Sequence, residues 1–109
     1  MIHVIATIHL HPGRRDDFLA ELARLMPKVH AEEGCLEYGP AVDFDSGISV
    51  QQFTGDNVVT IIEKWSSLDA LKDHLRADHM TAYRQRVHDF VERVTLHLLR
   101  PALTRDETE

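Results

Sequence analysis

A single cysteine, Cys35, in 109 residues excludes an intramolecular disulfide, so the fold must rest on packing and hydrogen bonding. The lone thiol fits a reducing compartment. It follows a glycine at the start of an extended segment, with no helix N-terminus or fixed cation beside it to favour the thiolate, and reads as a small buried hydrophobe. Basic residues are also scarce. Twelve Lys and Arg against 18 Asp and Glu give a net charge of −6, which lacks the electrostatic footprint that nucleic-acid binding requires. No apolar run approaches the roughly 20 residues that span a bilayer, and MIHVIATIHL has no basic region ahead of a continuous apolar stretch. A cytoplasmic protein with neither membrane nor nucleic-acid partners is expected. Internal repeats, low-complexity tracts and a glycine-rich phosphate cradle are absent as well. There is room for one core, so a single domain is expected over residues 1–103, followed by a polar tail over 104–109.

Within those bounds the hydrophobic pattern is explicit. Ile2, Val4, Ala6, Ile8 and Leu10 alternate with His3, Ile5, Thr7, His9 and His11, which predicts a strand that Pro12-Gly13 ends. Phe18, Leu22, Leu25, Met26 and Val29 recur at helical spacing, with Asp16 and Asp17 early, Lys28 and His30 late, and Gly34 suited to the C-cap. Pro27 is expected to kink or divide the last turns of that helix. Cys35 to Tyr38 reads as a second strand, bent or at a sheet edge because Gly39-Pro40 follows. Asp43 to Asn57 reads as an elaborated connection with an extended segment, Ile48 to Phe53, suited to a short ribbon. The β-branched run from Val58 predicts a third strand to Trp65. A helical pattern then runs from Leu68 to Val91 with a break near Arg76 to His79, and Val94, Leu96 and Leu98 make a last strand.

The order β-α-β-β-α-β predicts an α+β, ferredoxin-like sheet with both helices on one face. The other face, carrying Ile5 and Thr7, would be left facing water, so a homodimer is expected.

The junction of the third strand and the helix after it concentrates the chemistry. Alternation places Val59, Ile61, Glu63 and Trp65 on one strand face, and the helix capped by Ser66 or Ser67 carries His74, His79 and Tyr83. An acid, the only tryptophan and two imidazoles are therefore candidates for one pocket. Trp65 is either a stacking surface or core, and Glu63 either serves the pocket or is tied to a backbone amide or to Arg84 or Arg86. His74 and His79, five residues apart, are about 140° round a regular helix and share a face only if the helix breaks between them. That spacing, and the missing second cysteine, count against zinc, and no metal or cofactor is expected. His3, His9 and His11 read as a solvated row on one strand face.

Pro12-Gly13 before the first helix, Glu33-Gly34-Cys35-Leu36-Glu37-Tyr38 after it, and Glu63-Lys64-Trp65 followed by Leu71, His74 and His79 give the chain a pattern that resembles the antibiotic biosynthesis monooxygenase family from residue 2 to about Pro101. The resemblance implies a dimeric α+β barrel with a cavity between sheet and helices in each subunit. It further implies a cofactor-independent monooxygenase that oxidises a quinol or related phenolic or polyketide aromatic with dioxygen. On that reading His79 is the favoured base, with His74 as its alternative. Glu63 orients an imidazole or holds a substrate hydroxyl, and Trp65, Tyr83 and Thr7 contact the small aromatic substrate. Two other readings accompany it: a non-catalytic dimeric small-molecule binding module and a haem-binding or haem-degrading oxygenase. Haem-degrading relatives carry an Asn on the first strand where this chain is aligned with Thr7, and the connection between strands two and three is longer than the family's usual hairpin.

Overall fold

The computed structural model describes residues 1–103; the polar tail expected over 104–109 lies outside the described residues. The N-terminal alternation becomes strand β1 (Ile2–Leu10), in which Val4, Ala6, Ile8 and Leu10 are buried and the intervening residues are half-buried on the opposite face. It is followed by α1 (Arg15–His30), β2 (Cys35–Ala41), β3 (Val58–Trp65), α2 (Leu68–Arg76), α3 (Asp78–Val87), a short 3₁₀ turn over His88–Phe90, and β4 (Val91–Leu99). The four strands form one antiparallel sheet in the order β2-β3-β1-β4, the ferredoxin-like arrangement. No helix of the described residues is long and apolar enough to cross a membrane.

The core lies between this sheet and the helices. Phe18, Leu22, Leu25 and Val29 of α1 are almost wholly buried, and Val59, Ile61, Glu63 and Trp65 share the inner face of β3. Four such apolar side chains contribute about 1.5–3 kcal/mol each, more than the roughly 3 kcal/mol a helical proline costs. Accordingly Pro27 does not divide α1, which runs unbroken to His30. Pro27 lies on the exposed side, where the carbonyl of Ala23, deprived of its partner, is within reach of water.

Two other expectations need correction, and a third, the edge position of the second strand, holds with a longer strand. The helical pattern does not continue to Val91: α3 ends at Val87, and Val91 already belongs to β4, paired with Leu10. The Phe90 carbonyl accepts a hydrogen bond from the His11 amide at 2.9 Å, and the Arg14 guanidinium lies 4.3 Å from the Phe90 ring centroid, so tertiary contacts end the helix. The segment Ile48 to Phe53 forms no ribbon. Side chains organise it instead: Asp43 accepts from the Thr54 and Gly55 amides, and Gln51 donates to the Phe44 carbonyl at 2.7 Å. Held by these hydrogen bonds, this arm turns Phe44, Ile48, Val50 and Phe53 outward. Finally, β2 continues through Gly39-Pro40 to Ala41, because as an edge strand it tolerates a residue without an amide hydrogen.

Two local devices place the helices over the sheet. Ser67 caps α2 by accepting from the Ala70 amide at 3.1 Å. Gly34, with φ of +83°, lets the turn after α1 come so close to the start of α2 that a Cβ there would sit 2.5 Å from the Ala70 Cβ. The Ser66 amide donates to the Gly34 carbonyl across this contact at 2.8 Å, joining the turn that carries Glu32 to the strand end that carries Glu63 and Trp65.

Candidate active site

Helices cover β1, β2 and β3 better than the edge strand β4, and a cavity of about 640 Å³ occupies the space that remains. Ala6, Ile8, Ile61, Met80, Val94 and Leu96 make its apolar wall; Tyr38, Glu63, His74 and Tyr83 supply polar groups, and the exposed His11, Arg84, His88 and Asp89 stand round its edge. Val94, Leu96 and Leu98 lie on the helix side of β4, opposite Ile8, Ala6 and Val4, yet each stays about half exposed. The larger uncovered apolar surface is therefore this row together with the 42–57 arm, rather than the outer face of β1, where Ile5 is half-buried.

His74 reaches the cavity from the last turn of α2 and is only 1% exposed. Its Nε2 stands 4.0 Å from Oε1 of Glu63, and that oxygen accepts the indole N–H of Trp65 at 2.9 Å. The Trp65 ring lies 4.6 Å from the His74 ring at 34°, and Tyr38 meets His74 edge-on at 5.5 Å. On its far side, His74 Nδ1 is 2.9 Å from Oε2 of Glu32. His79 contacts the same oxygen through Nε2 at 2.8 Å. The helix breaks at Ala77, whose ψ of 142° is extended, and this lets two histidines five residues apart turn to one carboxylate. These are hydrogen-bond separations, and among the described residues no three His, Cys, Asp or Glu side chains are arranged to hold a metal ion.

The residues predicted from sequence thus separate. Glu63, His74 and Tyr83 line the cavity. His79 does not; it opens onto a separate surface depression beside Arg24, Lys28 and Arg86. Trp65 is fully buried and holds Glu63 and His74 from behind, so it offers no stacking surface to a ligand. Thr7 lies on the outer sheet face, paired with Thr60 and Thr95; the β1 side chains at the cavity are Ala6 and Ile8, because a one-residue step on a strand reverses the face. Neither Arg84 nor Arg86 pairs with Glu63: Arg84 donates to the Leu75 carbonyl and Arg86 to Glu21. His11 stands at the cavity edge, apart from the outer-face row of His3 and His9. Sequence reasoning missed Glu32 and Tyr38. The only signal for either was proximity to the Gly34 turn, which does not reveal what lies across it.

Burial pushes the Glu63 carboxyl up to about 7, with the Trp65 N–H pulling the other way and the Glu32 charge adding to the rise. Burial also lowers the pKa of His74, opposed by its hydrogen bond to Glu32. The phenols of Tyr38 and Tyr83 are both raised, chiefly by burial and then by the Glu63 charge, so they remain protonated donors. Cys35 is raised by burial and by the nearby carboxylates, which leaves it an unreactive thiol. A carboxyl held up to about 7 and an imidazole that burial favours in its neutral form thus stand together at the wall of an apolar cavity, an arrangement suited to acid–base chemistry.

A ferredoxin-like α+β domain with a cavity between sheet and helices defines the structural class. Within it, this chain belongs to the antibiotic biosynthesis monooxygenase family, whose pattern it matches over residues 1–86. It is 38% identical to the Escherichia coli K12 protein named "Probable quinol monooxygenase YgiN", over 94% of this chain and all of that one. Solved structures agree on the fold. A protein from Mycobacterium tuberculosis superposes with a TM-score of 0.76 at 25% identity, covering 95% of this chain and 97% of the other. One from Pseudomonas aeruginosa gives 0.77 at 24% identity, covering 94% of each chain.

Proposed function

We propose that this protein is a monooxygenase that oxidises a quinol or related phenolic aromatic with dioxygen, using the His74–Glu63 pair as its base. One observation carries the reading: apart from the tyrosines, Glu63 and His74 are the only buried polar or charged side chains among the described residues, and they stand 4.0 Å apart in the wall of an apolar cavity. Burial penalises the charged form of each even with its Trp65 or Glu32 partner, and a phenolic substrate would give them a proton to take. The name of the Escherichia coli relative supports the substrate class, and the cavity volume lies within the usual range for small-molecule sites.

Removing a phenolic proton makes an electron-rich anion that can pass an electron to dioxygen. A dihydroxy-aromatic is two electrons richer than its quinone. One dioxygen can therefore place one oxygen atom on the ring and leave with the other as water, giving a hydroxyquinone with no external reductant. In this reading His74 Nε2 accepts the first proton, Glu63 shares it, and the Tyr38 and Tyr83 hydroxyls orient the substrate oxygens. The base is assigned to His74 rather than His79, because His79 does not face the cavity. We take the working unit to be a homodimer, on the strength of the exposed row Val94, Leu96 and Leu98 and the outward side chains of the 42–57 arm.

The test is oxygen uptake over a panel of quinols, with His74→Gln and Glu63→Gln as variants expected to lower kcat about 10²-fold. Saturable quinol binding without oxygen uptake would sink the oxygenase reading in favour of a binding module. A Soret shift followed by loss of haem absorbance would favour the haem reading instead.

A further inference from the structure

Glu32 does not line the cavity, yet it touches both histidines, and although His74 Nδ1 also lies 3.2 Å from Oε1, the shortest contact of each histidine is to the same oxygen. His74 Nδ1 and His79 Nε2 are 2.9 and 2.8 Å from Oε2. An ionised carboxylate accepts two N–H donors at one oxygen. A proton placed on Oε2 instead would be donated to one of the two ring nitrogens, and because an imidazole is intrinsically a stronger base than a carboxylate by about 2 pH units, that proton belongs on the nitrogen. Both nitrogens therefore donate. A neutral imidazole carries only one N–H, so with Nδ1 donating to Glu32 the lone pair of His74 is on Nε2, the nitrogen directed at Glu63.

On the oxygenase reading above, we infer that Glu32 is a positioning residue: it holds His74 in the Nδ1–H tautomer, so that the basic nitrogen is the one presented to the substrate. When Nε2 takes a proton, the same carboxylate stabilises the imidazolium. The geometry around Glu32 suits this task. Its backbone is tied by its amide to the Val29 carbonyl at 3.0 Å, the Gly34 turn packs against α2, and His79 grips the carboxylate from α3 beyond the helix break. With the acceptor removed, the nearest carboxylate to His74 is Glu63, on the cavity side. The proton then moves to Nε2, and no lone pair faces the substrate.

Nitrogen-15 NMR of the imidazoles at pH 8, with His74 assigned by its absence in His74→Gln, reads the tautomer without any substrate. The expected result is a protonated Nδ1 and an unprotonated Nε2 in the parent protein, and a protonated Nε2 in Glu32→Leu. Glu32→Gln retains an oxygen acceptor and is expected to keep the parent tautomer. In turnover, Glu32→Leu should lower kcat tenfold or more with KM within about twofold, and Glu32→Gln should recover part of the loss. A parent His74 protonated at Nε2 overturns the inference, as does a folded Glu32→Leu protein that keeps the Nδ1–H tautomer. Should Glu32→Leu fail to fold, the parent and Glu32→Gln spectra still decide. If the parent turns over no quinol, the oxygenase reading fails while the tautomer measurement stands on its own.

Discussion

Replacing Glu63 with glutamine should make the protein more stable at alkaline pH and no more stable at acid pH. The carboxyl is 6% exposed, and burial raises it from the ordinary 4.5 to about 7. A raised carboxyl binds its proton more tightly in the folded state. Its contribution is fully present below the unfolded value near 4.5 and is lost as pH climbs through about 7. Each pH unit in that window removes about 1.4 kcal/mol, so the whole loss is about 3 kcal/mol. Glutamine mimics the protonated acid in shape and never ionises. Urea unfolding of the two proteins at equal concentration should therefore give similar stabilities at pH 4.5 and a variant more stable by about 3 kcal/mol at pH 8. His74 adds a slope of opposite sign, since its lowered pKa costs stability as pH falls below 6.5. That slope is common to both proteins, so only their difference isolates Glu63. A difference that stays constant from pH 4.5 to 8 would refute the claim that Glu63 is ionised at a cost in the folded protein. The stabilised variant should also be the inactive one, a trade expected where a strained group performs the chemistry.

Gly34→Ala should destabilise the protein by about 2–4 kcal/mol in the same unfolding measurement, since it combines a left-handed backbone with a Cβ 2.5 Å from that of Ala70. A change below 0.5 kcal/mol would show that the turn relaxes and that the close approach is not needed to place Glu32. Light scattering over a dilution series at micromolar concentration should give twice the mass of the 12.5 kDa chain, and Val94→Asp combined with Leu96→Asp should lower it. A monomeric mass for the parent throughout would remove the homodimer.

Strand alternation in β1 and β3, the apolar stripe of α1 and the chain order β-α-β-β-α-β were legible in the sequence, because period and turn chemistry are local properties that few residues suffice to express. The inward face of β3 was legible too, and with it the nearness of Glu63 and Trp65, since residues two apart on a strand must share a side. The break near Ala77 was visible as an interruption of helical spacing. Where the pieces meet was not. The face of β1 that carries Thr7 depended on which side the helices cover, and the structure puts Ala6 and Ile8 at the cavity. Trp65 was recognisable as special, but only packing decided that it supports Glu63 instead of meeting a ligand. Glu32 stands 42 and 47 residues from the two histidines it touches, and no period or spacing encodes such a meeting. It arises because Gly34 lets the turn after α1 dock on α2 while the break at Ala77 turns His79 back toward it. Local chemistry determined the elements of this protein, and the meeting of two histidines at one carboxylate fell to contacts that exist only once those elements have packed.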